Sequence, residues 1–202
     1  MARRLNEGSE GRPNAYFDHR FHMEAVKLLP AQYYATPRDV MIVTVLGSCV
    51  SVCLRDPVAG VGGMNHFMLP ASQDDGLLSQ SARYGVHAME LLVNQLMKLG
   101  ARRERFEAKV FGAGNVIPAM TSLRVGQRNA DFVLDYLRTE RIALLAQDLL
   151  DDYARKLHYF PHSGRVLMRR LTKFNNDTLI AREIAYSRQL QDQRPGGDVD
   201  LF

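Results

Sequence analysis

Cysteine is scarce in this chain of 202 residues: there are two, Cys49 and Cys53. That scarcity argues against a disulfide framework. A bond between these two is excluded as well. Both fall on one strand-like segment, where four residues span about 13 Å, against a limit of roughly 7 Å between bridged Cα atoms. With no second cysteine pair there is no zinc-ribbon pattern either. Long apolar runs are also missing. None approaches the roughly 18 residues of a membrane span, and the opening residues Met1 to Ser9 lack the apolar stretch of a signal peptide. No direct membrane insertion is therefore expected. Nor is there a charge of one sign. Lys and Arg number 26 against 22 Asp and Glu, a net charge of +4, and basic runs such as Arg102-Arg103 and Arg169-Arg170 break off after two residues. Interspersed charges of this kind make a solvated mixed surface, not a nucleic-acid footprint. Internal repeats are absent.

What remains is a chain that is 46% hydrophobic, enough for one core and one domain. Residues 1–20 are polar, with Gly8, Gly11 and Pro13, and read as a flexible lead. Residues 21–172 carry the element-forming patterns. Ala31 to Thr36 reads as an edge strand. Val40 to Leu46 is nearly continuous in apolar and β-branched residues, the mark of a strand buried on both faces. Val50 to Leu54 alternates, Arg55-Asp56-Pro57 and Gly60 make a turn, and Val61 to Leu69 returns as an antiparallel partner. Asp74-Asp75-Gly76 reads as a loop. Ala82, Val86, Met89, Leu92, Leu96 and Leu99 recur at helical spacing and Gly100 fits the position just past the helix end.

Glu107 to Gly114 reads as a strand, Asn129 as the N-cap of a helix carrying Phe132, Val133, Tyr136 and Leu137, and Ile142 to Ala146 as another strand. Leu157 to Phe160 and Val166 to Leu171 bracket the turn Pro161-His162-Ser163-Gly164. The pattern predicts an α/β fold: a layered sandwich with a mixed, largely antiparallel β-sheet and covering helices. Residues 173–202 read as a C-terminal helix, capped by Asp177 or Thr178 and running to about Leu190, followed by a tail. The final Asp198-Val199-Asp200-Leu201-Phe202 reads either as a disordered end or as a short peptide whose Leu201 and Phe202 anchor in a partner.

Two residues carry chemistry. Cys49 ends the run Leu46-Gly47-Ser48-Cys49, and His66 lies in Asn65-His66-Phe67-Met68-Leu69-Pro70 on the next strand. A cysteine on a glycine-containing turn, with a histidine returning alongside it, can form a thiolate–imidazolium nucleophile. Backbone N–H groups around Ser48 and Cys49 could face a developing oxyanion. Asn65 is a second candidate donor, although on a regular strand its side chain falls on the face opposite His66. On residue types alone, a small core cysteine and a satisfied histidine account for the pair better than a nucleophile does. Cys53, mid-strand and without a preceding glycine, reads as core. His19 and His22 lack further ligands nearby and read as surface residues. Gly112-Ala113-Gly114-Asn115 lacks the lysine of a phosphate loop.

The longer context narrows the choice. Val43 to Val50, Arg55-Asp56 and Gly63 to Pro70 resemble the CheD family of chemoreceptor glutamine deamidases. So do Arg83-Tyr84-Gly85, Glu107 to Gly112, Val125 to Asn129 and Arg155-Lys156. The resemblance spans about residues 25–172. It implies a protein-glutamine glutaminase that converts selected glutamines of bacterial chemoreceptors to glutamate, through a cysteine thioester, with release of ammonia. It implies Cys49, His66 and Thr44 as catalytic residues, no cofactor and no metal, and a cytoplasmic location. The implied partners are methyl-accepting chemoreceptor cytoplasmic domains and a CheC-like phosphatase. The alternative is a non-enzymatic chemotaxis adaptor that binds receptors or such a phosphatase. The chain departs from the family pattern twice. Leu149-Leu150-Asp151-Asp152 stands where a glycine pair is usual, and Gly112-Ala113-Gly114 stands at a glycine-rich strand end. Both departures bear on substrate choice more than on chemistry.

Overall fold

The computed structural model describes residues 14–70, 80–116, 124–171 and 177–192. In chain order the strands are β1 (Asn14–Asp18), β2 (Met23–Lys27), β3 (Gln32–Thr36), β4 (Met41–Leu46), β5 (Val50–Asp56) and β6 (Val61–His66). Then follow α1 (Gln80–Lys98), β7 (Glu107–Gly112), α2 (Val125–Thr139), β8 (Ala143–Leu149), β9 (Ala154–Phe160), β10 (Arg165–Leu171) and α3 (Asp177–Asp192).

The strands divide between two five-stranded sheets, ordered β1-β2-β4-β9-β10 and β3-β6-β5-β7-β8. Among the described residues only the β2–β4 and β7–β8 ladders are parallel; the other six are antiparallel. This is the layered, mixed and largely antiparallel α/β sandwich that the patterning predicts, with its strands split over two stacked sheets.

Side-chain alternation explains the stacking. Along β5, Val50, Val52 and Leu54 join Val61, Leu92, Val93 and Val133 in the core beneath α1 and α2. Cys53 points the other way, into the space between the sheets, with Ile42, Leu46, Met64, Leu157 and Tyr159. Both faces of β5 are thus covered, and every residue from Val50 to Leu54 is buried. On β4 the even positions Ile42, Thr44 and Leu46 take the inner face, while Met41 and Val43 join an outer cluster with Ala25 and Phe160.

The register of the β5–β6 hairpin sets the site. Cys53 pairs with Met64 and Asp56 with Val61, and the bridge Val50↔Phe67 continues the same register. His66 therefore lies across from Ser51, on the inner face that Cys49 and Cys53 share. Gly100, with φ of 98°, ends α1 as expected, and Gly164, with φ of 73°, closes the β9–β10 turn.

Two expectations are corrected. Within residues 1–20, assigned as a flexible lead, Asn14–Asp18 form β1 and pair antiparallel with β2. Asn129 is not a cap: α2 begins at Val125, and Asn129 lies a full turn inside it and is fully buried. The C-terminal helix lies where predicted, and its Tyr186 and Leu190 join the inter-sheet core. The Asp74–Gly76 loop and the Asp198–Phe202 tail lie outside the described residues.

Candidate active site

The turn Gly47-Ser48-Cys49 joins β4 to β5, and every one of its carbonyls is tied back to the body of the protein. Gly47 O accepts from Gly114 N–H at 2.8 Å, and Cys49 O accepts from Ala113 N–H at 2.7 Å. Ser48 O accepts from the Asn129 side-chain amide at 2.8 Å, whose oxygen in turn takes Leu69 N–H at 2.8 Å. Gly112, with φ of 112°, is required for this approach: a Cβ there would stand 2.3 Å from Cys49 O. With the carbonyls held on one side, the N–H groups of Gly47, Ser48 and Cys49 turn toward a single point on the other, forming an anion-binding nest.

A carboxylate occupies that point. Glu183 of α3 is fully buried. Its Oε1 accepts from Gly47 N–H at 2.7 Å and Cys49 N–H at 3.4 Å, and its Oε2 accepts from Ser48 N–H at 2.8 Å. Gly47 itself has no left-handed φ. Its lack of a side chain makes room, since a Cβ would stand 2.7 Å from Glu183 Oε2.

Beside the nest stands the thiol. Cys49 Sγ, a ring nitrogen of His66 and a Glu183 carboxylate oxygen lie within 4.8 Å of one another. Thr44 fixes the imidazole. Its Oγ1 donates to Leu28 O at 3.0 Å, so its lone pair faces His66 Nδ1 at 2.8 Å. The network assigns the proton to Nδ1 and leaves Nε2 with the free lone pair. Nε2 is buried without a hydrogen-bond partner among the described residues. A small cavity of about 50 Å³, lined in part by Gln32, Tyr33, Tyr84 and His87, reaches His66 from the β3 side.

The electrostatics describe a quiescent pair. Burial pushes the Cys49 thiol well above its ordinary range, and the charge of Glu183 with a hydrogen bond to it pushes further the same way. Burial holds His66 down at about 3, against a smaller upward pull from Leu28. Thiol and imidazole are both neutral here, so the thiolate–imidazolium pair expected from the sequence is not the state of this closed arrangement. Burial raises Glu183 too, opposed by the three backbone N–H groups it receives. Cys53, buried between the sheets, is pushed up by desolvation.

The structure thus brings together Cys49, His66, Thr44 and the backbone of Ser48. It does not bring Asn65. That side chain points to the helix face, where Oδ1 accepts from Val52 N–H at 2.9 Å and Nδ2 donates to Ala88 O at 3.3 Å. Strand alternation forces this, because its neighbour His66 takes the inner face. Two further site residues have little signal in the sequence. Asn129 carries a capping signature that masks its bracing role. Glu183 leaves one trace, a lone carboxylate on the stripe Ile180, Glu183, Tyr186 and Leu190.

Cys49, His66 and Glu183 form the one cluster among the described residues with metal-ligand chemistry. To hold zinc they would have to contract to bonds of about 2.0–2.3 Å, drawing Glu183 away from its N–H donors.

Two stacked sheets carrying a thiol, an oriented imidazole and an oxyanion-type nest define a candidate thiol-based amidohydrolase. A family model described as "CheD chemotactic sensory transduction" matches residues 68–170. A protein of Dechloromonas aromatica named "Probable chemoreceptor glutamine deamidase CheD 1" is 54% identical over 189 residues, covering 94% of each chain. A "Probable chemoreceptor glutamine deamidase CheD" from Methylobacillus flagellatus is 53% identical over 192 residues, 94% of this chain and 95% of that one. Another of that name from Janthinobacterium sp. is 54% identical over 191 residues, 94% of each. The chain belongs to the CheD family. No described helix is long and apolar enough to cross a membrane.

Proposed function

We propose that this protein hydrolyses the side-chain amide of selected glutamines in the cytoplasmic domains of bacterial chemoreceptors, giving glutamate and ammonia, with Cys49 as nucleophile. The observation that carries the reading is the convergence of Cys49 Sγ, the Thr44-oriented His66 and three backbone N–H groups on one point.

His66 Nε2 takes the thiol proton as Sγ attacks the glutamine Cδ. The carbonyl electron pair moves onto oxygen, where the N–H groups of Gly47, Ser48 and Cys49 receive the negative charge. Loss of one such donor costs about 3–4 kcal/mol of barrier elsewhere. The tetrahedral centre collapses, the C–N bond breaks, and the imidazolium gives its proton to the departing nitrogen, which leaves as ammonia. A water then adds to the thioester, surrendering a proton to Nε2. The C–S bond breaks, the product carboxylic acid is released, and the imidazolium returns its proton to sulfur. Thr44 holds the ring in the Nδ1–H tautomer throughout, as the third member of a triad does. A protein acting this way works in the cytoplasm, where receptor modification sites lie, and a CheC-like phosphatase is the regulatory partner that the family implies.

The test is mass spectrometry of a purified receptor cytoplasmic domain after incubation with the protein, reading the shift of about one dalton from amide to acid. Cys49→Ala and His66→Ala serve as controls. Turnover retained by either variant refutes the assignment.

A further inference from the structure

Resting on that reading, we infer that Glu183 stands in for the reaction product. In this assignment α3 fills the groove that receives a glutamine-bearing helix of the substrate, and the chain is closed over its own nucleophile until that helix replaces α3.

The chemistry of the contact leads there. Hydrolysis of a glutamine leaves a glutamate whose carboxylate sits where the amide was attacked, against the nest and beside the sulfur. Glu183 is a glutamate in that position: both oxygens take N–H groups of the nest, and one lies within 4.8 Å of Cys49 Sγ. A fully buried carboxylate placed on a thiol is costly for catalysis, because its charge and its hydrogen bond keep the sulfur protonated. The arrangement makes sense as a resting state and not as a working one.

The rest of α3 is built as a ligand for the groove. Ile180, Glu183, Tyr186 and Leu190 follow one another at spacings of three, three and four, a single stripe on a helix. Tyr186 and Leu190 are buried among Cys49, Met68, Phe111 and Val125, with Ile180 and Ile184 against the same cluster. Tyr186 Oη hydrogen-bonds Tyr84 of α1. The opposite face, with Ala181, Arg182, Ala185, Arg188 and Gln189, is exposed. The groove therefore reads a helix by one central amide or carboxylate, an apolar residue three positions before it, an aromatic three after and an apolar residue seven after. Among glutamines carried on amphipathic helices, the groove thus selects those presented in that register.

This has a direct test in the full-length chain. Glu183→Gln places an amide where the product acid stands, so the protein becomes its own substrate. The expected result is conversion of the introduced glutamine back to glutamate, a gain of about one dalton in the peptide that contains it. Conversion should be absent when Glu183→Gln is combined with Cys49→Ala. An introduced amide that persists while the same preparation deamidates a receptor domain overturns the inference and leaves the hydrolase reading intact. If neither the introduced amide nor the receptor is converted, the hydrolase reading falls and takes the inference with it. A second variant, Glu183→Ala, empties the nest without supplying an amide. Alkylation of Cys49 by iodoacetamide at neutral pH should then run at least about tenfold faster than in the parent, with circular dichroism unchanged. An unaltered alkylation rate in a folded variant would show that α3 does not guard the thiol.

Discussion

Thr44 and His66 lie on strands of different sheets, yet Thr44 Oγ1 meets His66 Nδ1 at 2.8 Å across the inter-sheet core. The same hydroxyl donates to Leu28 O at 3.0 Å, which fixes its polarity. The imidazole is thereby locked with its basic nitrogen free. Thr44→Val keeps the side-chain shape but removes both hydrogen bonds of the hydroxyl, at about 1–3 kcal/mol for a buried group left unpaired. We expect a loss of kcat on the order of 10²-fold, and Thr44→Ser, which restores the hydroxyl, to recover most of it. Steady-state ammonia release from a receptor domain checks this. Equal activity of the Val and Ser variants would remove Thr44 from the mechanism.

Burial of His66 has a pH consequence whose sign is fixed. Its folded-state value is about 3, while an exposed histidine in the unfolded chain titrates near about 6.5. Between those values the unfolded chain holds a proton that the folded chain does not, so stability falls as pH drops through that window. The slope from this group approaches about 1.4 kcal/mol per pH unit. Glu183 acts in the opposite sense: its raised folded value contributes stability that is lost as pH rises through it. Urea melts of the parent and of His66→Gln at a series of pH values isolate the histidine. The parent should lose stability relative to the variant as pH falls below about 6.5. Parallel curves would mean that His66 titrates normally in the folded protein.

The parts of the site that are legible in the sequence are those set by neighbours in the chain. The Cys49 turn and the returning His66 belong to one hairpin, so their meeting can be suggested from the chain, but the face they share depends on the register that pairs Cys53 with Met64; alternation then turns Asn65 away. Thr44 needs a third strand, and its meeting with His66 depends on how the sheets stack. Glu183 is out of reach. It docks more than 130 residues from the turn it fills, and a helix stripe does not say which groove it enters. Asn129 shows the opposite failure. Its residue type favours a cap, yet here the amide satisfies two backbone groups of separate loops, Ser48 O and Leu69 N–H.

The segment Leu149–Asp152 carries strain that a glycine would relieve. Leu150 and Asp151 have φ of 63° and 70°, in the left-handed region, at the place where the family resemblance puts a glycine pair. The backbone there is pinned from three sides: Leu150 N–H donates to Gly112 O, Asn115 N–H donates to Asp151 O, and Arg155 donates to Leu150 O. A non-glycine residue held this way costs about 1–2 kcal/mol, less for Asp than for Leu, against about 0.5–1 kcal/mol of extra chain entropy for glycine. Asp151 is exposed, so Asp151→Gly forfeits no burial and should stabilise the fold by up to about 1 kcal/mol. Leu150 is half-buried, and Leu150→Gly should come out near neutral as relief and lost packing offset. Thermal melts separate the two; destabilisation by Asp151→Gly would show that the loop does not need glycine geometry.

Gly47 links the resting and working states, because the space above it serves both. A Cβ at this position would stand 2.7 Å from Glu183 Oε2 and 2.8 Å from Val116 Cγ2. The backbone φ is one any residue adopts, so Gly47→Ala keeps the turn's backbone conformation and places its methyl group in the nest and against Val116. If a substrate amide occupies the place of the Glu183 carboxylate, both are excluded by the same methyl group. Turnover on receptor should fall by about 10²-fold or more. At the same time α3 loses its central contact, so the thiol should become easier to alkylate than in the parent. A nucleophile that gains reactivity toward a small reagent while losing it toward a protein amide is the signature of an obstructed nest. Were both rates to fall together, the substitution would have disturbed Cys49 itself; were turnover unchanged, the substrate amide does not use the space that Gly47 keeps open.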